Sequence, residues 1–185
     1  MKAIILAGGY GTRLRSITGE SIPKCMVKGW FKPGHRQVPW LDIVVRNLKS
    51  QGIKDITLAL HYRPQVFIDW FGKKLKYKIE ETPLGTGGAI RNCLEDDEPT
   101  LVLNGDTMSS CDFNDMLKHH VAPLTVAVTA KGIGAGAYIV NRSLFKNIDG
   151  AFPFEEFIEN VPKQMYYVEW YTDMGSPEGY EKAQL

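Results

Sequence analysis

Three glycines and an arginine fall within six residues near the start of the chain, in the run Leu6-Ala7-Gly8-Gly9-Tyr10-Gly11-Thr12-Arg13. Glycines at 8, 9 and 11 remove side chains, so backbone N–H groups can come close to an anion. Thr12 adds a hydroxyl donor, and Arg13 a guanidinium suited to bidentate phosphate contact. The run is not a dinucleotide fingerprint, because counting G-x-G-x-x-G from Gly9 puts Leu14 where the third glycine belongs. Nor is it a Walker A loop, since Arg13 stands at the second glycine and no GK[ST] follows. The plainer alternative is a glycine turn with Arg13 and Arg15 simply solvated.

Two aspartates are candidates for a metal. Asp106 in LNGDT directly follows an apolar run, and Asp173 sits in TDMGSP. Each alone reads as a turn or cap residue. If the two meet, they supply the pair of carboxylates that Mg²⁺ takes alongside phosphate oxygens and water. Lys24 follows Pro23, which fixes the backbone and can aim a point charge at a phosphate; a surface lysine after a turn is the competing reading. His61, His119 and His120 lack ligand spacing and read as helix-end or surface residues. Trp30, Phe31 and His35 could line a pocket, although loop aromatics are more often local packing.

These residues need elements to hold them. Ala3–Ala7 reads as a strand, with the glycine loop at its carboxyl end, where ligands sit in open α/β sheets. WLDIVVRNLKSQG (40–52) has helical spacing, ITLAL (56–60) is a buried-strand run, and PQVFIDWFG (64–72) is a second helix. YKIE (77–80) predicts a strand, TPLGTGG a loop, and the stretch through Ala89, Ile90 and Leu94 a short helix. TLVLN (100–104) is a strand, and DFNDMLKHH (112–120) a helix with Asp112 at its N-cap. LTVAVTA (124–130) and AYIVN (137–141) are strands, FPFEEFIENV (152–161) a helix, MYYVEWY (165–171) extended, and PEGYEKAQL (177–185) a closing helix. The alternation predicts a Rossmann-like α/β three-layer sandwich on a mainly parallel, mixed sheet. Four polar loops then converge on one edge: GGYGTR, TPLGTGG, NGDT and TDMGSP.

The 185 residues predict a single domain spanning 1–185, with Lys28 to Pro39 as an excursion within it. A formal net charge of +1 argues against a nucleic-acid-wrapping surface, and no run is long enough to span a membrane. Cys25, Cys93 and Cys111 are odd in number and widely spaced, which fits a reducing cytoplasm.

In combination the motifs resemble the sugar-1-phosphate nucleotidylyltransferases. The pieces AIILAGGYGTRL, IPK, ETPLGTGGAI, LVLNGDT, FPFEEFI and TDMGSPEGY occur in that family's order. The short heptose-1-phosphate and mannose-1-phosphate guanylyltransferases are the most similar branch. The resemblance implies transfer of a nucleotidyl group, GTP favoured as donor, to a sugar 1-phosphate, giving an NDP-sugar and pyrophosphate. It also implies a role in polysaccharide biosynthesis, and a homo-oligomer is compatible with it. On that resemblance Gly8, Gly9, Gly11, Thr12 and Arg13 wrap the triphosphate, with Leu6, Ala7, Asn104 and Gly105 in the same nucleotide-binding set. Lys24 and Arg13 stabilise charge during transfer, Leu84, Gly85 and Glu80 or Glu81 lie along base and ribose, and Asp106 and Asp173 hold Mg²⁺.

The chain also departs from that pattern. The hairpin that carries a Glu-Lys pair after the strand matching LTVAVTA is shortened, leaving only Lys131 nearby, and Gly134 replaces an asparagine. Cys25 stands where proline is common. A nucleotide-binding module without transfer activity, or transfer to a non-sugar phosphate, are the alternatives these departures raise.

Overall fold

The first apolar run forms strand β1 (Lys2–Leu6), and its alternation sends Ala3 and Ile5 to one hydrophobic cluster and Ile4 to another. The computed structural model describes residues 1–29, 37–121 and 123–184. After β1 come helix α1 (Arg15–Thr18) and the antiparallel pair β2 (Lys28–Gly29) and β3 (Val38–Pro39). Trp30, Phe31 and His35 lie outside the described residues. Then follow α2 (Trp40–Ser50), β4 (Asp55–Leu60), α3 (Pro64–Phe71), β5 (Lys76–Ile79), α4 (Gly85–Cys93), β6 (Thr100–Asn104) and β7 (Thr107–Ser109). The chain continues through α5 (Phe113–Lys118), β8 (Leu124–Thr129), β9 (Gly134–Val140), α6 (Phe154–Phe157), β10 (Gln164–Val168), β11 (Tyr171–Asp173) and α7 (Pro177–Ala183).

Seven strands form the main sheet in the order β10-β8-β9-β6-β1-β4-β5. Only β9 runs against its neighbours, pairing antiparallel with both β6 and β8. One face is covered by Leu41, Val44, Val45 and Leu48 of α2, Phe67 and Phe71 of α3, Met116 of α5 and Ala183 of α7. The other carries Ala89 and Ile90 of α4 and Phe154 of α6. This is the expected three-layer α/β sandwich on a mixed, mainly parallel sheet.

Local chemistry explains the boundaries. In α2 the buried Leu41, Val44, Val45 and Leu48 fall at i, i+3, i+4 and i+7, the stripe a surface helix turns inward, with Trp40 buried beside them. Pro64 opens α3 and Gly72, at φ 55°, closes it. The Asp112 carboxylate accepts from the N–H groups of Asn114 and Asp115, the N-cap expected there.

Several elements differ from expectation. The TPLGTGG stretch is not all loop, because α4 begins at Gly85 and takes in the following glycines. Packing overrides their poor helix propensity. A Cβ on Gly85 would lie 2.5 Å from the Phe152 carbonyl oxygen, and one on Gly87 would enter the Phe152 ring. The 152–161 stretch yields only the four-residue α6 and a 3-10 turn at Ile158–Asn160. The 165–171 stretch is two strands in different sheets, since β11 leaves β10's sheet to pair with β7. β7 itself, Thr107–Ser109, has a single apolar residue, Met108, too little for a strand signal.

Gly87→Ala is therefore expected to lower stability by about 1–3 kcal/mol through overpacking, read from urea unfolding midpoints. Adding Phe152→Ala should recover part of that loss, because the colliding ring is gone.

Candidate active site

Four neighbouring parallel strands, β6, β1, β4 and β5, end at one edge, and their loops are stitched together by backbone bonds. The Gly105 N–H donates to the Leu6 carbonyl at 2.9 Å, Ala7 N–H to Ala59 at 3.0 Å, and Tyr62 N–H to the Gly8 carbonyl at 3.1 Å. This stitching accounts for two of the glycines. A Cβ on Gly8 would lie 2.9 Å from the His61 nitrogen, and one on Gly105 would lie 2.8 Å from the Leu6 oxygen. Gly11 adopts φ 64°, and a Cβ there would meet the Lys24 side chain at 2.9 Å. Of the loop glycines at 8, 9, 11 and 105, Gly9 is the one that faces open space. Only part of the glycine content thus clears room for a ligand; the rest lets backbones meet.

The loops enclose a cleft of about 360 Å³. Leu6, Gly8, Gly9, Arg13, Lys24, Glu80, Gly85, Asn104, Asp106 and Asp173 line it, ten of the residues singled out in the sequence. Ala7 and Gly105 are buried in the strand ends behind it, and Gly11, Thr12 and Leu84 also do not line it. Of the two candidate glutamates, Glu80 faces the cleft and accepts the Leu84 N–H at 3.1 Å, while Glu81 is exposed and outside the lining.

At the centre, Lys24 Nζ lies 2.5 Å from Asp106 Oδ2. Burial opposes the lysine's charge, but the field and hydrogen bond of Asp106, helped by Asp173, win and raise its pKa. Lys24 is an ammonium at neutral pH. Its neighbour Cys25 is pushed up to about 12 by burial and Asp106, so it stays a thiol.

Asp173 reaches this centre through the β7–β11 ladder, which pairs it with Thr107, and through the Met174 N–H bond to the Asp106 carbonyl at 2.9 Å. The next residue is decisive. A Cβ on Gly175 would lie 2.7 Å from Asp106 Oδ2, 2.9 Å from Asp173 Oδ1 and 3.1 Å from an Arg13 nitrogen. Two carboxylates and a guanidinium thus face one small space that only glycine leaves open. This donor set fits Mg²⁺ shared with a polyphosphate, which needs one or two protein carboxylates. Among the described residues no group of three or more His, Cys, Asp or Glu forms a metal cage by itself.

Residues without an assigned role in the sequence also belong here. His61 lines the cleft instead of lying on the surface, with Nδ1 3.0 Å from the Glu80 carbonyl and Nε2 3.1 Å from the Tyr10 hydroxyl. Its place after the ITLAL strand was the available signal. Thr86, Thr107 and Glu155 line the cleft as well. His120, by contrast, is held between Thr125 Oγ1 and Asn141 Oδ1 at 2.7 and 2.8 Å, a packing role. Lys131 is exposed and away from the cleft, in the tight Ala130–Ile133 turn joining β8 to β9.

The nucleotidyl transferase family profile matches residues 2–148. The chain belongs to the nucleotidyl transferase family. A Campylobacter jejuni relative named D-glycero-alpha-D-manno-heptose 1-phosphate guanylyltransferase is 32% identical, over 97% of this chain and 97% of its own length. The Aneurinibacillus thermoaerophilus protein of the same name is 31% identical, over 100% of this chain and 97% of its own. Among solved structures, HddC from Yersinia pseudotuberculosis complexed with GMP-PN superposes with a TM-score of 0.81 at 27% identity, over 98% of this chain and 97% of that one. The Campylobacter match runs over 222 positions against 185 residues here, so that relative carries segments this nucleotidyltransferase lacks. No helix among the described residues is long and apolar enough to cross a membrane.

Proposed function

We propose that this nucleotidyltransferase transfers a guanylyl group from GTP to a sugar 1-phosphate of the heptose or mannose type, with Mg²⁺, releasing pyrophosphate. The observation that carries the reading is the convergence of Arg13, Asp106 and Asp173 beside Gly175, with Lys24 held on Asp106. Full-length relatives named as heptose 1-phosphate guanylyltransferases support the donor and acceptor class.

The acceptor's phosphate oxygen is already anionic and needs no general base. It attacks the α-phosphorus in line, a new P–O bond forms, and the bond to the departing pyrophosphate breaks. Arg13 offers paired donors to phosphate oxygens. Lys24 has three N–H donors and can keep one on Asp106 while turning the others to the phosphates. Both offset charge that builds on the oxygens at the moment of transfer. Asp106 and Asp173 would hold Mg²⁺, which when bound would neutralise phosphate charge. Glu80 spends one oxygen on the Leu84 N–H, leaving the other to accept from guanine's amide and amino groups.

The test is direct. Purified protein with each nucleoside triphosphate, Mg²⁺ and a panel of sugar 1-phosphates should release pyrophosphate and form a GDP-sugar with GTP. Silence across the panel from folded protein would sink the reading. The tight β8–β9 turn favours one competitor, a nucleotide-binding module without turnover. Calorimetry showing tight GTP binding alongside that silence would establish it.

A further inference from the structure

We propose that Glu155 forms a hydroxyl-binding subsite, which reads the uncharged polyol part of the acceptor and turns away acceptors carrying a second anionic group. The inference rests on the transfer reaction above and names its acceptor class. Glu155 opens onto the cleft from α6, beside the sheet's β6–β9 side. The preceding Phe154 is fully buried, edge-on to the Tyr138 ring of β9 at 5.1 Å, which anchors the short helix there. Glu80 stands at the end of β5, three strands from β6. A nucleotide on the glycine loop with its base at Glu80 leaves the β6 side for the acceptor.

The carboxylate of Glu155 is aimed. Its Oε2 accepts the Thr86 hydroxyl at 2.9 Å, and that hydroxyl oxygen in turn accepts the Phe154 N–H at 2.7 Å. Its other oxygen, Oε1, takes no part in that bond, and the residue lines the cleft. The lining also includes Thr86, which holds Glu155, and Asn104 and Thr107, all uncharged. Among the described residues, the lysine and arginine side chains on the lining are Lys24 and Arg13, both at the metal and phosphate end. Lys131, the one cation near the shortened turn, is off it.

A carboxylate accepts only, so its natural partners are hydroxyl donors, and a sugar ring supplies several. A second phosphate or a carboxylate on the acceptor would meet Glu155 with no cation to offset it. The relatives carry extra residues that this chain lacks, and Glu155 supplies acceptor recognition from α6 without them.

Steady-state kinetics with GTP and a neutral hexose 1-phosphate test the proposal. Glu155→Gln should raise the KM for the sugar phosphate about tenfold or more, as loss of a charged hydrogen bond does, with the GTP KM and kcat unchanged. Glu156→Gln, exposed and off the lining, serves as the control and should match wild type. Wild type should also prefer the neutral hexose 1-phosphate to a hexuronic acid 1-phosphate, and Glu155→Gln should narrow that preference. An active Glu155→Gln enzyme with an unchanged sugar-phosphate KM overturns the subsite. Equal rises in both KM values overturn it too, because a prop of the whole cleft would do the same. If wild type is silent with every acceptor, the transfer reaction fails, and direct binding decides the subsite separately. In that case the hexose 1-phosphate should raise the melting temperature of wild type and not of Glu155→Gln. An equal rise in both, or none in wild type, overturns it.

Discussion

Asp106→Asn is expected to cut pyrophosphate release by at least about 10³-fold while the protein stays folded. Asp106 is only 7% exposed, and its Oδ2 serves Lys24 at 2.5 Å while facing the space beside Gly175. Asparagine keeps the shape and an acceptor oxygen, and it leaves the backbone bond from Met174 untouched. What it removes is charge: Asp173 is left as the single carboxylate at the proposed Mg²⁺ position, and the ammonium of Lys24 loses its counter-ion. Pyrophosphate release at saturating GTP and sugar phosphate, with far-UV circular dichroism on the same samples, checks both halves. Activity within tenfold of wild type would remove Asp106 from the reaction.

Lys24→Met should be almost as damaging to turnover, by about 10²–10³-fold, and in addition should destabilise the protein. Removing one partner of a buried pair leaves the other charge uncompensated, at a cost of about 3 kcal/mol when, as here, another cation remains close. Arg13 and Asp106 flank the same gap, so the remaining carboxylate is not wholly orphaned. The pH dependence has a definite sign. Lys24's pKa in the folded protein is raised above the ordinary 10.5, so the pair contributes in full below that value. Its stabilisation is lost only as pH rises through the folded value. Unfolding midpoints of wild type and Lys24→Met should therefore differ by a constant amount through the neutral range and converge only in strong alkali. A gap that already closes near neutrality would mean that Lys24 is not the protonated partner of Asp106.

The sequence alone determined whatever depends on neighbours in the chain. Periodicity places α2 because Leu41, Val44, Val45 and Leu48 share one face, and Asp112 caps α5 because its side chain reaches N–H groups two and three residues on. Strand runs followed by glycine or aspartate determined that Gly9, Asn104 and Asp106 belong to one sheet edge, since parallel strands deliver their carboxyl ends together. Tertiary structure decided what depends on approach between distant segments. Gly85 and Gly87 read as loop residues until Phe152 packs on them. β7 has no apolar pattern and exists because β11 pairs with it, and that pairing is what carries Asp173 to Asp106. Gly175 looks like any turn glycine in the sequence, yet it keeps open the space that two carboxylates and Arg13 share. His61 and Glu155 likewise have ordinary local surroundings, and only the meeting of β4, α4 and α6 around the cleft turns them toward it. Local hydrogen bonding and side-chain period are short-range and leave marks in the sequence. The vacancy beside Gly175 is set by atoms far apart in the chain, so no local pattern encodes it.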